Sequence, residues 1–136
     1  MTPNIFINLP VKDLNKSVEF FTWLGFTFNP RFTDKNGTCM IVAENIFVML
    51  LMEDHFKSFT NKAILDTEKY IETILSLSVD DRQKVDQMME HVFKAGGKEA
   101  REKLDYGWMY GRAFYDPDGH LWEVFTMDMN AMPKTE

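Results

Sequence analysis

Phe114-Tyr115-Asp116-Pro117-Asp118-Gly119-His120-Leu121-Trp122-Glu123-Val124 is the stretch on which the reading of the fold turns. Pro117 suits the second position of a type I turn and Gly119 the fourth, so Asp116 to Gly119 predicts a tight reversal. On either side stand segments rich in aromatic and β-branched residues, from about Trp108 to Tyr115 and from His120 to Met127. The turn joins them as an antiparallel hairpin. A short strand near Lys98 to Arg101 precedes them, giving three strands in a row.

Further upstream, Thr73 to Val79 alternates in the manner of a strand. Asp80, with Gln83 three residues on, resembles a capping box, and Val85, Met88, Met89, Val92 and Phe93 lay an apolar stripe along the helix that follows. Gly96-Gly97 closes that helix. The half therefore spells strand, helix, strand, strand, strand.

The first half makes the same statement with other residues. Asn4 to Val11 is an apolar strand that tolerates Pro10 near its end. Asp13 is an N-cap before Leu14, Val18, Phe21 and Leu24, and Gly25 is the C-cap. Phe26 to Phe32, Thr38 to Ala43 and Ile46 to Met52 are three strands, parted by turn signals at Lys35-Asn36-Gly37 and Glu44-Asn45. Val11-Lys12-Asp13 recurs in type as Val79-Asp80-Asp81, 68 positions later. The reading is an α+β protein, a single domain of residues 1–136 with one βαβββ module over 4–52 and a second over 72–128. Residues 53–71 form a polar, partly helical lid or linker, and 129–136 a loose tail.

Composition narrows the functions available. A chain of 136 residues can bury a core without staples, and its single cysteine, Cys39, cannot form an internal bridge and is expected to be a buried thiol. With 21 acidic against 15 basic residues, a net charge of -6 disfavours a nucleic-acid partner. The start of the chain carries no secretory pattern and no apolar run approaches a membrane span, so the cytoplasm is the expected location. His55, His91 and His120 are scattered, and none pairs with Ser or Cys at the spacing of a nucleophilic triad. No glycine-rich phosphate loop is present.

Two βαβββ units, with Val-x-Asp-Leu leading into a Ser-x-x-Phe-Phe helix and Asp-Pro-Asp-Gly-His before the last strand, resemble the vicinal-oxygen-chelate superfamily of glyoxalases, bleomycin-resistance proteins and extradiol dioxygenases. The resemblance covers nearly the whole chain and implies a curved mixed sheet around a small-molecule cavity. It also implies a homodimer, for which Phe114 and Trp122 are candidate outer-face residues.

In metal enzymes of that superfamily, side chains from several strands hold one divalent ion. Glu123, four residues after the turn glycine, matches the last ligand position. Phe6 stands at the first, Ile74 at its equivalent in the second module, and the remaining position falls in Val48-Met49-Leu50-Leu51. Neither Phe nor Ile has a lone pair, and one carboxylate cannot hold an ion against solvent.

The expectation is therefore no metal and no cofactor, with Glu123 the only retained ligand position and the only candidate catalytic residue. Glu123 would then need a partner for its charge, with Asn8 and Arg112 as candidates. Counting back from the turn aspartate, as the family pattern does, puts Ala113 inside and makes Arg112 an outer or interface residue. Trp108 and Tyr110, after the loop Asp105-Tyr106-Gly107, either stack on a planar ligand or pack at the rim and the dimer contact.

The site would then comprise Phe6, Asn8, Met49, Ile74, Trp108, Tyr110, Ala113 and Glu123, binding a small apolar or cationic organic molecule as bleomycin-resistance proteins do. The alternative is a lactoylglutathione-lyase-like isomerase or dioxygenase that holds zinc, nickel, manganese or iron through an unusual ligand set.

Overall fold

A computed structural model of the protein describes residues 3–134, which form two compact units dividing between Tyr70 and Ile71. The first contains β1 (Ile5–Val11), α1 (Leu14–Trp23), β2 (Thr27–Asp34), β3 (Gly37–Ala43), β4 (Ile46–Met52) and the short α2 (Glu53–Lys57). Its four strands lie in the order β1-β4-β3-β2, with β1 parallel to β4 and the other pairs antiparallel. The mixed pairing follows from the connections, because a helix carries the chain from β1 to β2 while short turns join the rest.

Asp13 begins α1 as the sequence predicts, its carboxylate accepting from the Lys16 N–H at 3.2 Å. The chain leaves the helix through Gly25 at φ 98°, a conformation glycine adopts without penalty. Phe21 and Leu24 are buried as the stripe requires, and Phe20 and Ser17 are buried beside them. With Leu9, Val11, Met40, Val48 and Leu50 they make the core of this unit.

The second unit contains β5 (Ile74–Ser78), α3 (Arg82–Lys94), β6 (Lys98–Asp105), β7 (Met109–Tyr115) and β8 (Leu121–Met127), with strand order β5-β8-β7-β6. It repeats the topology of the first, and α3 packs on β6, β7 and β8. Three expectations change here. The cap of α3 is Asp81, whose carboxylate accepts from the Lys84 N–H at 2.8 Å, and not Asp80, which pairs with the Lys84 ammonium at 2.7 Å. Asp81 is the counterpart of Asp13 across the repeat, so the repeat located the cap where the local pattern missed it. Phe93 leaves the buried stripe and is 45% exposed, with the Arg112 guanidinium 5.9 Å from its ring centre.

Phe114 and Trp122 are the third correction. They are 0% and 1% exposed and stack on each other with 6.4 Å between ring centres, so neither is available to an outer face. Strand pleating turns them with Val124 towards α3, where Val85, Met89 and Val92 complete the core. Each fully buried side chain of this kind contributes roughly 1.5–3 kcal/mol.

The turn carries more than reversal chemistry. Gly119 N–H donates to the Asp116 carbonyl at 3.0 Å, closing the turn, with Gly119 at φ 80°. The Asp116 carboxylate, itself buried, accepts from the N–H groups of Asp118 (2.9 Å) and His120 (3.0 Å) and from the Trp122 indole N–H at 3.0 Å. One side chain thus ties the hairpin tip to the largest residue of the core.

Candidate functional site

The register of the second sheet aligns four residues on neighbouring strands: Ser76 on β5, Glu123 on β8, Ala113 on β7 and Arg101 on β6. Directly opposed residues share a face, so this row lies on the face turned away from Phe114 and Trp122. Glu123 accepts a hydrogen bond from the Ser76 hydroxyl at 3.1 Å and forms an ion pair with Arg101 through Nη2. The guanidinium reaches its partner by passing over Ala113, whose methyl group is small enough to be crossed. Gly111, one step along the same face, is buried like Ala113, and a Cβ there would lie 3.3 Å from Phe125 Cβ and 3.6 Å from the Met109 sulfur.

Arg101 is on this face because β6 is irregular. Lys98 and Glu99 pair with Tyr115 and Phe114, but Arg101 pairs with Ala113, so β6 advances two residues where β7 moves back one. Unbroken pairing would set Ala100 against Ala113 and Arg101 against Arg112, on the helix-covered face. The extra residue reverses the alternation and re-aims the side chain, the usual effect of a bulge.

Glu99, before the bulge, stays on the helix side and meets Arg112. Arg112 donates to Glu99 at 2.9 and 3.1 Å and to Asp86 at 3.0 Å, and the Tyr110 hydroxyl donates to Asp86 at 2.6 Å. The Arg112 guanidinium holds the Glu99 carboxyl below its ordinary range. For Asp86, burial pushes upward, but the Tyr110 hydroxyl and Arg112 outweigh it and the carboxyl also ends low. Burial and then the Asp86 carboxylate push the Tyr110 hydroxyl up. Arg112 is thus fully committed, and the partner of Glu123 is Arg101 instead.

Arg101 is not saturated. Among the described residues, the buried side-chain nitrogen or oxygen that lacks a hydrogen-bond partner is Arg101 Nη1. Leaving a buried donor unmatched costs about 1–3 kcal/mol, more where it is charged.

The residues expected at the site are distributed unevenly. Glu123 and Ala113 stand together as counted from the turn, and Ile74 lies one row along, on β5 opposite Leu121. Tyr110 does not join them, because β7 alternation places it with Arg112 on the helix face, bonded to Asp86; its expected role on a ligand has no support from this position. Trp108 precedes β7, its carbonyl accepting from the Asp128 N–H at 2.7 Å and its ring 6.2 Å from that of Tyr106.

In the first unit Asn8 pairs with Met49, and Phe6 stacks on Phe47 with 4.8 Å between centres. A separate cleft of about 310 Å³ in that unit lies among Lys12, Lys35, Glu53, Asp54 and His55, and none of the expected site residues lines it. Arg101 and Ser76 were not foreseen. Their signal is not in residue spacing, since one depends on a bulge and the other on strand register.

Two βαβββ units, each a four-stranded mixed sheet with one helix against it, make a glyoxalase-type fold. The chain belongs to the Glyoxalase/Bleomycin resistance protein/Dioxygenase superfamily, whose family model matches residues 5–124. Among solved structures it is similar to a hypothetical protein from S. aureus, at 30% identity and TM-score 0.78 over 93% of this chain and 95% of that one. A glyoxalase-related enzyme from Fulvimarina pelagi matches at 20% identity and TM-score 0.78, covering 93% and 88% of the two chains. The fosfomycin resistance protein FosX from Listeria monocytogenes matches at 18% identity and TM-score 0.67, covering 96% and 97%. No curated protein matches the chain.

The superfamily implies a divalent metal, and the residues present do not fit one. Phe6 and Ile74 supply no donor atom, and the Glu123 carboxylate is already held by a guanidinium and a hydroxyl. Among the described residues no group of three or more His, Cys, Asp or Glu is placed to share an ion. Nor is any described helix long and apolar enough to cross a membrane.

Proposed function

We propose that the protein binds a small organic molecule on the Glu123 face of its second sheet and needs no metal ion to do so. The observation that carries this reading is the Arg101–Glu123 pair: the positive charge that a carboxylate there requires comes from the chain itself. A cationic ligand gains little from a carboxylate already neutralised, so this reading disfavours the cationic guest that the resemblance suggested. The exposed Ile74 on β5, one row from the Ser76–Glu123 pair, sets apolar surface beside a few directed polar groups, the usual make-up of a small-molecule site.

The test is metal analysis of protein purified without chelator, together with a small-fragment screen read by NMR on the Ala113 methyl group. The expected result is far less than one zinc, nickel, manganese or iron ion per chain, and fragment-induced shifts at Ala113 that survive added chelator. Near-stoichiometric metal lost on mutating Glu123→Gln, with turnover of a hemithioacetal, would establish the isomerase alternative instead.

A further inference from the structure

We infer that the site takes an oxyanion, a carboxylate, phosphonate or phosphate group of its ligand, on Arg101 Nη1. This rests on the binding reading above and specifies which chemistry the ligand brings. Nη1 carries only donors, so its occupant at that atom must be an acceptor. It is buried and lacks a partner, while Nη2 of the same guanidinium is committed to Glu123.

The same sheet demonstrates that one guanidinium accommodates two carboxylates. Arg112 is shared between Glu99 through Nε and Nη2 and Asp86 through Nη1. Arg101, its counterpart on the opposite face, has the first carboxylate and lacks the second. Anionic acceptors on a guanidinium make shorter and stronger bonds than neutral ones, so a ligand oxyanion completes the set better than a hydroxyl or an amide.

In this arrangement Glu123 and Ser76 are positioning residues. Ser76 holds one Glu123 oxygen and the other holds Nη2, which fixes the guanidinium and leaves Nη1 outside the pair.

Three probes of one shape test this: benzoate, benzyl alcohol and benzylammonium, titrated into the full chain labelled to report the Ala113 methyl and the Arg101 Nε–H. Benzoate is expected to shift both signals and to bind at least ten-fold more tightly than benzyl alcohol, with benzylammonium weakest. Arg101→Gln should abolish the preference for benzoate, and Arg101→Lys should retain part of it. Glu123→Gln, which frees Nη2, should keep or strengthen benzoate binding.

Equal binding of benzoate and benzyl alcohol at Ala113 would overturn the oxyanion inference while leaving the binding reading intact, and would mean that water suffices for Nη1. If none of the three moves the Ala113 signal, the binding reading falls, and this inference with it. The wild-type titrations decide between these outcomes even if a variant fails to fold.

Discussion

Arg101 and Glu123 are joined across Ala113, from strands that are not neighbours in the sheet. A contact of this kind depends on what lies between. The intervening side chain must be small, and the arginine must stand on the correct face. The first condition is met by Ala113, which is 1% exposed, and the second by the one-residue bulge before Arg101.

Ala113→Leu should therefore separate the pair while also overfilling a packed position. A loss of about 1–3 kcal/mol is expected from overpacking alone. Ala113→Gly keeps the crossing open and should cost roughly 1 kcal/mol through backbone entropy. Urea unfolding of the two variants checks this, and an equal effect of both would show that the crossing is unimportant to the fold.

Asp116→Ala removes the acceptor for three donors, including the Trp122 indole, without touching the turn's backbone bond. At about 1–3 kcal/mol for each buried donor left unmatched, partly relieved by water at the tip, the expected loss is about 3 kcal/mol. Thermal unfolding followed by tryptophan fluorescence measures it. A variant as stable as the parent would mean that the turn residues alone hold the hairpin.

The cluster of Arg112, Glu99 and Asp86 sets an acid limit on stability. Both carboxyls are held below their ordinary range, so the folded state binds protons less readily than the unfolded chain. The stabilisation is present above the unfolded pKa, about 4 for such groups, and is lost as pH falls through the lower folded value. Arg112→Leu should be less stable than the parent at pH 7, and the two should converge below about pH 4. Urea midpoints between pH 7 and 3 provide the comparison, and a gap independent of pH would refute the assignment.

Gly37→Ala probes close backbone approach in the first unit. A Cβ there would lie 2.7 Å from Leu51 Cδ2 and 2.9 Å from the Leu50 carbonyl oxygen, and a backbone atom cannot step aside cheaply. A loss of about 1–3 kcal/mol is expected by chemical denaturation. An unchanged midpoint would indicate that β3 and β4 can part at that end.

Where the chain's order followed local chemistry, it could be read in advance. The Asp116 to Gly119 turn, the cap at Asp13 and the hairpin it implies depend on residues a few positions apart, and the repeat carried the same logic to Asp81. Glu123 and Ala113 followed by counting alternation from the turn, since β7 and β8 pair without interruption. Arg101 could not be found that way. Its face depends on a bulge that no residue type in Lys98 to Asp105 announces, and simple alternation assigns it to the wrong side. Phe93 departs for a related reason: helical spacing assigns this apolar residue to the core, while it stands 45% exposed beside the Arg112 guanidinium.

The bulge in β6 has an evolutionary corollary. Because facing alternates with period two, an in-frame loss of the Ala100 codon would close the bulge yet leave Arg101 opposite Ala113 on the Glu123 face, whereas re-pairing the intact strand without the bulge would send Arg101 to the helix side. Strand length just before Arg101 is thus free to vary by one residue during descent without altering the charge this face presents, provided the pairing beyond it is kept.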